Sequence, residues 1–393
     1  MYAIKSLESA AVAGKRVLCR VDFNVPIKAG RVADDTRIRA ALPTIEYLLG
    51  QGARLILMSH LGRPSGTGFE EAFSLAPVAA HLASLLGREV AFSGDVTGED
   101  ALSKSAALED GEVLLIENLR FDAREKKNNP DFCAELAALG EVYVNDAFGT
   151  AHRAHASTAG IAALLPAYAG FLLQKEVETL SGMLEAPERP FVVILGGSKV
   201  SDKIKVIDAL IEKCDALIIG GGMCFTFLLA QGLDVGASLQ EPDWVESCKK
   251  TLERAKKANV SVLLPIDIVV ADRFAEDAAY HTVAVDSIPA DMMGLDIGPE
   301  TIGLYAQAIA GAKTLFWNGP MGVFEMKAFE NGTRELAFAV ARAQAQTIIG
   351  GGDSVAAVNA FGLADRIGFI STGGGASMEL VQGEALPGVV ALQ

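Results

Sequence analysis

Apolar residues in this chain come in short unbroken runs, and helical spacing fills the intervals between them. In the first half the runs are "RVLCRVDF", "ARLILMSH", "REVAFSGD", "EVLLIENL" and "EVYVNDAF". In the second they are "FVVILGG", "ALIIGGG", "SVLLPIDIVV", "TLFWNGP", "TIIGGGD" and "IGFISTGGG". A run that does not alternate with polar residues reads as a strand covered on both faces, the habit of parallel sheets. Residues 36–50, 74–87 and 201–213 carry helical patterns; in the last, Ser201 is the expected cap, and Ile204, Ile207 and Ile211 share one face. Strand and helix alternating over two sets of strands predict an α/β protein of two doubly wound parallel-sheet domains. A helical pattern from about Lys175, between Pro166 and the pair Pro187 and Pro190, is the expected hinge.

The polar residues follow a rule of their own. "VDFN", "MSHLGRP", "IENLR", "VNDAFGTAHR", "LGGSK", "FWNGP", "IGGGDS" and "ISTGGG" each come directly after an apolar run. The carboxyl ends of parallel strands open on one edge of the sheet, and ligands bind there. Residues with a purely structural role would fall at both strand ends.

Composition narrows the ligand. A chain of 393 residues is longer than one hydrophobic core usually supports, which agrees with two domains. Its net charge of −15 excludes the broad positive field of a nucleic-acid or membrane-surface binder. Small anions remain open, because 11 of the 17 arginines fall within residues 1–170, and arginine is the fork-shaped donor for carboxylate and phosphate. Five cysteines without a C-x-x-C give no disulfide framework or zinc knuckle, so a reducing compartment, the cytoplasm, is expected. The amino-terminal residues lack the apolar core of a signal peptide. Two charge-free stretches, 157–174 and 216–233, are interrupted by Pro166 and by Gly220, Gly221 and Gly222, and read as buried structure rather than membrane spans.

Glycine clusters end the strands of the second half, where backbone N–H groups and a following helix start can face phosphate. "GGSKVSDK" adds Lys199 and Lys203, and "GGGDSVAAV" puts Asp353 where a helix should begin. A carboxylate beside phosphates calls for a bridging Mg²⁺; otherwise Asp353 is a helix cap. Neither a P-loop motif nor the protein-kinase signatures occur. "GGGDSVA" loosely satisfies the dinucleotide pattern G-x-G-x-x-A, which keeps an NAD-dependent dehydrogenase of a small hydroxy acid as the alternative. In the first half, "RVDFNVP", "DDTRIRAAL", "SHLGRP", "ENLRF" and "AFGTAHRAHAS" each put a polar or basic donor at a strand end or helix start. Five such segments on one edge argue for an anionic substrate.

Taken in order, "RVLCRVDFNVP", "SHLGRP", "AFGTAHRAHAS", "GGSKVSDKI", "GGGMCFTF", "MGLDIGPET", "FWNGPMGVFE", "GGGDSVAA" and "STGGGASMEL" resemble the successive blocks of the phosphoglycerate kinase family, over nearly the whole chain. The resemblance implies two Rossmann-like domains facing across a cleft: residues 1–170 with the tail 376–393 for 3-phosphoglycerate, 171–189 as hinge helix, and 190–375 for nucleotide. It implies reversible Mg²⁺-dependent phosphoryl transfer between 1,3-bisphosphoglycerate with ADP and 3-phosphoglycerate with ATP, by a monomer. Asp22, Phe23, Asn24, Arg37, His60, Leu61, Gly62, Arg63, Arg120 and Arg153 then form the substrate set. Arg37, Lys199, Lys203, Gly351 and Gly374 are the implied catalytic residues. Lys203, Gly221, Leu295, Asn318, Glu325, Gly351, Gly352, Asp353 and Ser354 hold the nucleotide, with Asp353 as metal ligand. His152 and His155 are expected to pack around Arg153 rather than touch substrate.

Overall fold

A computed structural model describes residues 2–393. The chain divides into two compact units, Met1–Thr179 with Glu384–Gln393, and Leu180–Gly383. The first unit runs β1 (Arg16–Arg20), a small ribbon of β2 (Ile27–Lys28) and β3 (Arg31–Val32), α1 (Thr36–Gly50), β4 (Arg54–Met58), α2 (Ala76–Leu86), β5 (Ala91–Phe92), α3 (Glu99–Ala107), β6 (Val113–Leu115), α4 (Pro130–Ala138), β7 (Val142–Asn145) and β8 (Ala167–Ala169). Its six-stranded sheet has the order β5-β6-β4-β1-β7-β8, with every pair parallel. The core is aliphatic: Val17, Cys19, Leu55 and Leu57 of the strands meet Ile38, Ile45 and Leu48 of α1, all fully buried.

Helix α5 (Phe171–Glu185) contains the division between the units. Asp146, at the end of β7, accepts hydrogen bonds from the Leu172 and Leu173 N–H groups and so caps the start of α5.

The second unit continues with β9 (Phe191–Leu195), α6 (Ile204–Leu210), β10 (Ala216–Ile219), α7 (Met223–Ala230), α8 (Val245–Ala258), β11 (Ser261–Leu263), β12 (Asp267–Ala271), β13 (Tyr280–Ala284), β14 (Met293–Ile297), α9 (Pro299–Ala310), β15 (Thr314–Asn318), α10 (Asn331–Arg342), β16 (Gln346–Ile349), α11 (Gly352–Ala360), β17 (Phe369–Ile370) and α12 (Gly375–Val381). A short α13 (Pro387–Val390) lies in the segment that rejoins the first unit. The parallel sheet has the order β11-β10-β9-β15-β16-β17, and its core centres on Trp317, Tyr305, Ile194 and Leu315. In both sheets the winding reverses beside the first strand, β1 or β9. The carboxyl ends flanking that reversal are where open α/β sheets bind ligands.

Two local expectations need correction. "SVLLPIDIVV" is not one parallel strand: Pro265 separates β11 from β12, and β12 joins an antiparallel sheet of order β13-β12-β14. Proline has no N–H to extend the first ladder. Helix α6 is shorter than the pattern over 201–213, and Ser201 is not its cap. The Ser201 hydroxyl donates to Glu241 Oε1 at 2.6 Å and its N–H to Oε2 at 3.0 Å, so Lys203 occupies the cap position instead.

Candidate functional site

In the first unit the strand ends of β1, β4 and β6 gather most of the basic set. The loop after β4 is pinned residue by residue. Ser59 accepts the Phe23 N–H at 2.9 Å, and its carbonyl accepts the Leu119 N–H at 3.1 Å. The Gly62 N–H donates to Asn24 Oδ1 at 2.9 Å, and the Arg120 guanidinium donates to the Gly62 carbonyl at 2.7 Å. Gly62 has φ of +62°, and a Cβ there would lie 2.4 Å from the Phe73 ring, so any other residue would strain the turn and push that ring aside.

Around this loop Arg37, from the first turn of α1, donates to Asp22 Oδ2 at 2.8 Å, and Asp22 Oδ1 lies 3.9 Å from His60 Nδ1. Arg63 and Arg153 are exposed, whereas His60 and Arg120 are buried. Phe23 and Leu61 point into the core, so only their backbone is at the site.

His60 Nδ1 lies 3.0 Å from a guanidinium nitrogen of Arg20. A guanidinium only donates, so Nδ1 accepts and the ring proton sits on Nε2. Burial holds His60 well below the ordinary histidine range, and the neighbouring Arg20, Arg120, Arg153 and Arg37 press it the same way. The ring is therefore a neutral donor among cations. Burial, then Arg153 and Arg20, lower Arg120 to about 10. Charges of one sign crowded together in this way are a site prepared for an anion.

Beneath lies a layer that sequence reasoning missed. Arg20 is buried, and its Nε donates to the Ser157 hydroxyl at 3.0 Å, which donates on to Glu125 at 2.6 Å. His155 Nδ1 sits 3.7 Å from the same carboxylate. Burial, then the neighbouring Arg120, Arg20 and Arg153, depress His155 to about 4. His152 accepts from the exposed Arg153 at 3.1 Å. The available signal for Arg20 was a charged residue inside an apolar strand.

In the second unit the ends of β9, β15 and β16 meet. Asn318 closes β15 and is buried; its side-chain oxygen accepts from the Lys203 ammonium, and its Nδ2 donates to the Gly350 carbonyl at 2.6 Å. Gly351 takes φ of +91°, and a Cβ there would meet that Nδ2 at 2.4 Å. The Ser354 hydroxyl accepts the Gly319 N–H at 2.5 Å, joining the start of α11 to the end of β15. Lys203, Asn318, Gly351, Gly352, Asp353, Ser354 and Gly374 share one depression of about 240 Å³. Burial lowers the Lys203 ammonium from its usual value, against the raising pull of Asp353 and Asp202.

A larger apolar cavity of about 490 Å³ adjoins it, lined by Gly221, Leu295, Met321, Val323, Glu325 and also by Asp353. One carboxylate thus borders both spaces. Lys199 is exposed and lines neither. Among the described residues no group of three or more His, Cys, Asp or Glu could enclose a metal. Exposed Asp353, at the start of α11, suits a cation that takes one protein carboxylate and draws its other ligands from phosphate and water, which is how Mg²⁺ usually binds.

All five cysteines are free and buried, and among the described residues no helix is long and apolar enough to cross a membrane.

The sequence profile of phosphoglycerate kinase matches residues 7–384. Phosphoglycerate kinase of Moorella thermoacetica is 60% identical over 387 residues, 98% of each chain, and that of Roseiflexus castenholzii 56% over 392 residues, 99% of each. Among solved structures, phosphoglycerate kinase from Coxiella burnetii superposes with a TM-score of 0.92 at 45% identity, covering 99% of this chain and 98% of that one. The enzyme from Pyrococcus horikoshii gives 0.85 at 33% identity, with the same coverage. Nothing in these comparisons supports the dehydrogenase alternative. With two parallel-sheet units and matches that run the length of the chain, the protein belongs to the phosphoglycerate kinase family.

Proposed function

We propose a division of labour between the two units in the reaction that family membership assigns. That reaction is reversible transfer of a phosphoryl group between ATP and the carboxylate of 3-phosphoglycerate, giving ADP and 1,3-bisphosphoglycerate, a step of glycolysis. The first unit takes the acid. Asp22 and Asn24 hold its hydroxyl and carboxylate end, while His60, Arg63, Arg120 and Arg153 hold its phosphate. The second unit takes the nucleotide, with the base in the cavity at Gly221 and Leu295, the ribose at Glu325 and the phosphates over the glycine turns. Asp353 holds Mg²⁺, which would neutralise phosphate charge when bound. The fuller reading is a monomeric cytoplasmic enzyme in which residues 171–189 hinge the two ligands together.

The acceptor oxygen is already ionised at neutral pH, so the chemistry needs alignment and positive charge rather than a general base. Arg37, Lys199 and Lys203 supply charge, and the amides at 351–354 and 373–375 supply oriented N–H groups. The observation that carries this reading is the depression where Lys203, Asn318, Asp353 and two glycine-led helix starts converge. A coupled assay with 3-phosphoglycerate and Mg-ATP tests it. Turnover that needs both substrates and stops with chelator supports the assignment, and turnover indifferent to 3-phosphoglycerate overturns it.

A further inference from the structure

Asn118, just beyond β6, is completely buried, and its amide uses all of its hydrogen-bonding capacity. Oδ1 accepts the Leu61 N–H at 3.2 Å and the Arg120 N–H at 3.0 Å. Nδ2 donates to the Leu61 carbonyl at 2.8 Å and the Phe73 carbonyl at 2.9 Å. The reversed amide would set NH₂ against two N–H groups and oxygen against two carbonyls, so its orientation is fixed.

The effect reaches residues that Asn118 itself supports only through the backbone. Both peptide groups of Leu61 are held, and Leu61 lies between His60 and Arg63. The Arg120 backbone starts from the same oxygen, and the Arg120 guanidinium returns to the Gly62 carbonyl at 2.7 Å, closing a ring of contacts. The link to Phe73 fixes the residue whose ring lies beneath Gly62.

We infer that Asn118 is a positioning residue for substrate binding, setting the separation of Arg120 from the His60–Arg63 loop. The inference rests on the proposed assignment of that loop to 3-phosphoglycerate. It requires an amide rather than a carboxylate, because Asn118→Asp would remove both donors and turn a negative oxygen toward two carbonyls.

The test is steady-state kinetics on the full chain with Asn118→Asp and Asn118→Ala, beside Leu82→Ala, a core variant of α2 in the same unit. An unmade buried hydrogen bond costs enough that both Asn118 variants should raise the KM for 3-phosphoglycerate about tenfold or more. The KM for Mg-ATP and the kcat should stay within about threefold, since neither needs this spacing once substrate saturates the site. Leu82→Ala should lower the melting temperature and leave both KM values alone, which separates positioning from stability. If Asn118→Asp does not fold, Asn118→Ala, which opposes the carbonyls with no charge, is held to the same criterion. Arg120→Ala and Arg153→Ala are measured alongside. If they raise the KM for 3-phosphoglycerate while a folded Asn118 variant does not, the positioning role is overturned. If they too leave it unchanged, the assignment of the loop is what fails.

Discussion

Asn318 ties a charge to the architecture of its loop. Its oxygen receives the Lys203 ammonium and its amide nitrogen holds Gly350. Asn318→Ala removes both at a position 1% exposed. The Gly350 carbonyl loses a partner and the lysine loses its acceptor, so stability should fall by about 2–4 kcal/mol. Asn318→Asp keeps the shape and presents Lys203 with a carboxylate, but it replaces the Nδ2 donor with an oxygen that faces the Gly350 carbonyl. An adjacent opposite charge favours ionisation by roughly 1–3 pKa units, so the ammonium should be more firmly charged than in the parent. It would nevertheless be neutralised within the protein, and the added negative charge would meet the incoming phosphates. Both variants should therefore melt below the parent, since both lose the donor to Gly350, and the aspartate variant's kcat should also drop about 10²-fold or more, the scale of a lost transition-state donor. Thermal melts and saturating steady-state turnover on the three proteins decide it. An aspartate variant with kcat within about fivefold of the parent would refute the idea that Lys203 works by leaving its positive charge for the phosphoryl group.

Arg37→Ala and Lys199→Ala should mainly lower kcat, by roughly 10²–10⁵, while Arg153→Ala should mainly raise the KM for 3-phosphoglycerate; Lys199→Ala with turnover within about threefold of the parent removes that lysine from the mechanism. His155 titrates at about 4 in the folded chain, below the value near 6.5 of an unfolded histidine, so the folded state resists its protonation. The stability this confers is complete above pH 6.5 and is lost as pH falls toward 4, at most about 3 kcal/mol. Urea melts across that window should show a shallower acid loss for His155→Gln than for the parent. Asp353→Asn should raise the KM for Mg-ATP by about tenfold or more with little change in that for 3-phosphoglycerate, and a variant matching the parent at limiting Mg²⁺ would exclude Asp353 as ligand.

The strands were legible because apolar runs of five residues leave little choice, and their carboxyl ends marked where ligand residues would gather. Lys203, Asn318 and Asp353 were readable in this way, since each follows a run or opens a helix. What stayed hidden was pairing across long separations in sequence. Nothing in "VSDK" says that Ser201 prefers Glu241, forty residues on, to capping its own helix. Nothing in "ENLRF" separates Arg120, which faces the loop, from Asn118, which holds it. Arg20 stood out only as a charge in an apolar strand, and its link through Ser157 to Glu125 depends on a fold that joins three distant segments. Pro265 was visible, but the antiparallel sheet beyond it was not.

The segment that rejoins the first unit has a consequence for biosynthesis. The Gly388 N–H donates to the Ala151 carbonyl at 2.8 Å, and the Gly388 carbonyl accepts from Asn145, so the carboxyl-terminal residues brace the turn that carries Arg153. A ribosome therefore delivers the first unit in two instalments, with the whole second unit translated in between. The nascent amino-terminal lobe has to wait with one flank bare until residues 384–393 emerge. Products of premature termination would carry a complete second unit and an incomplete first one.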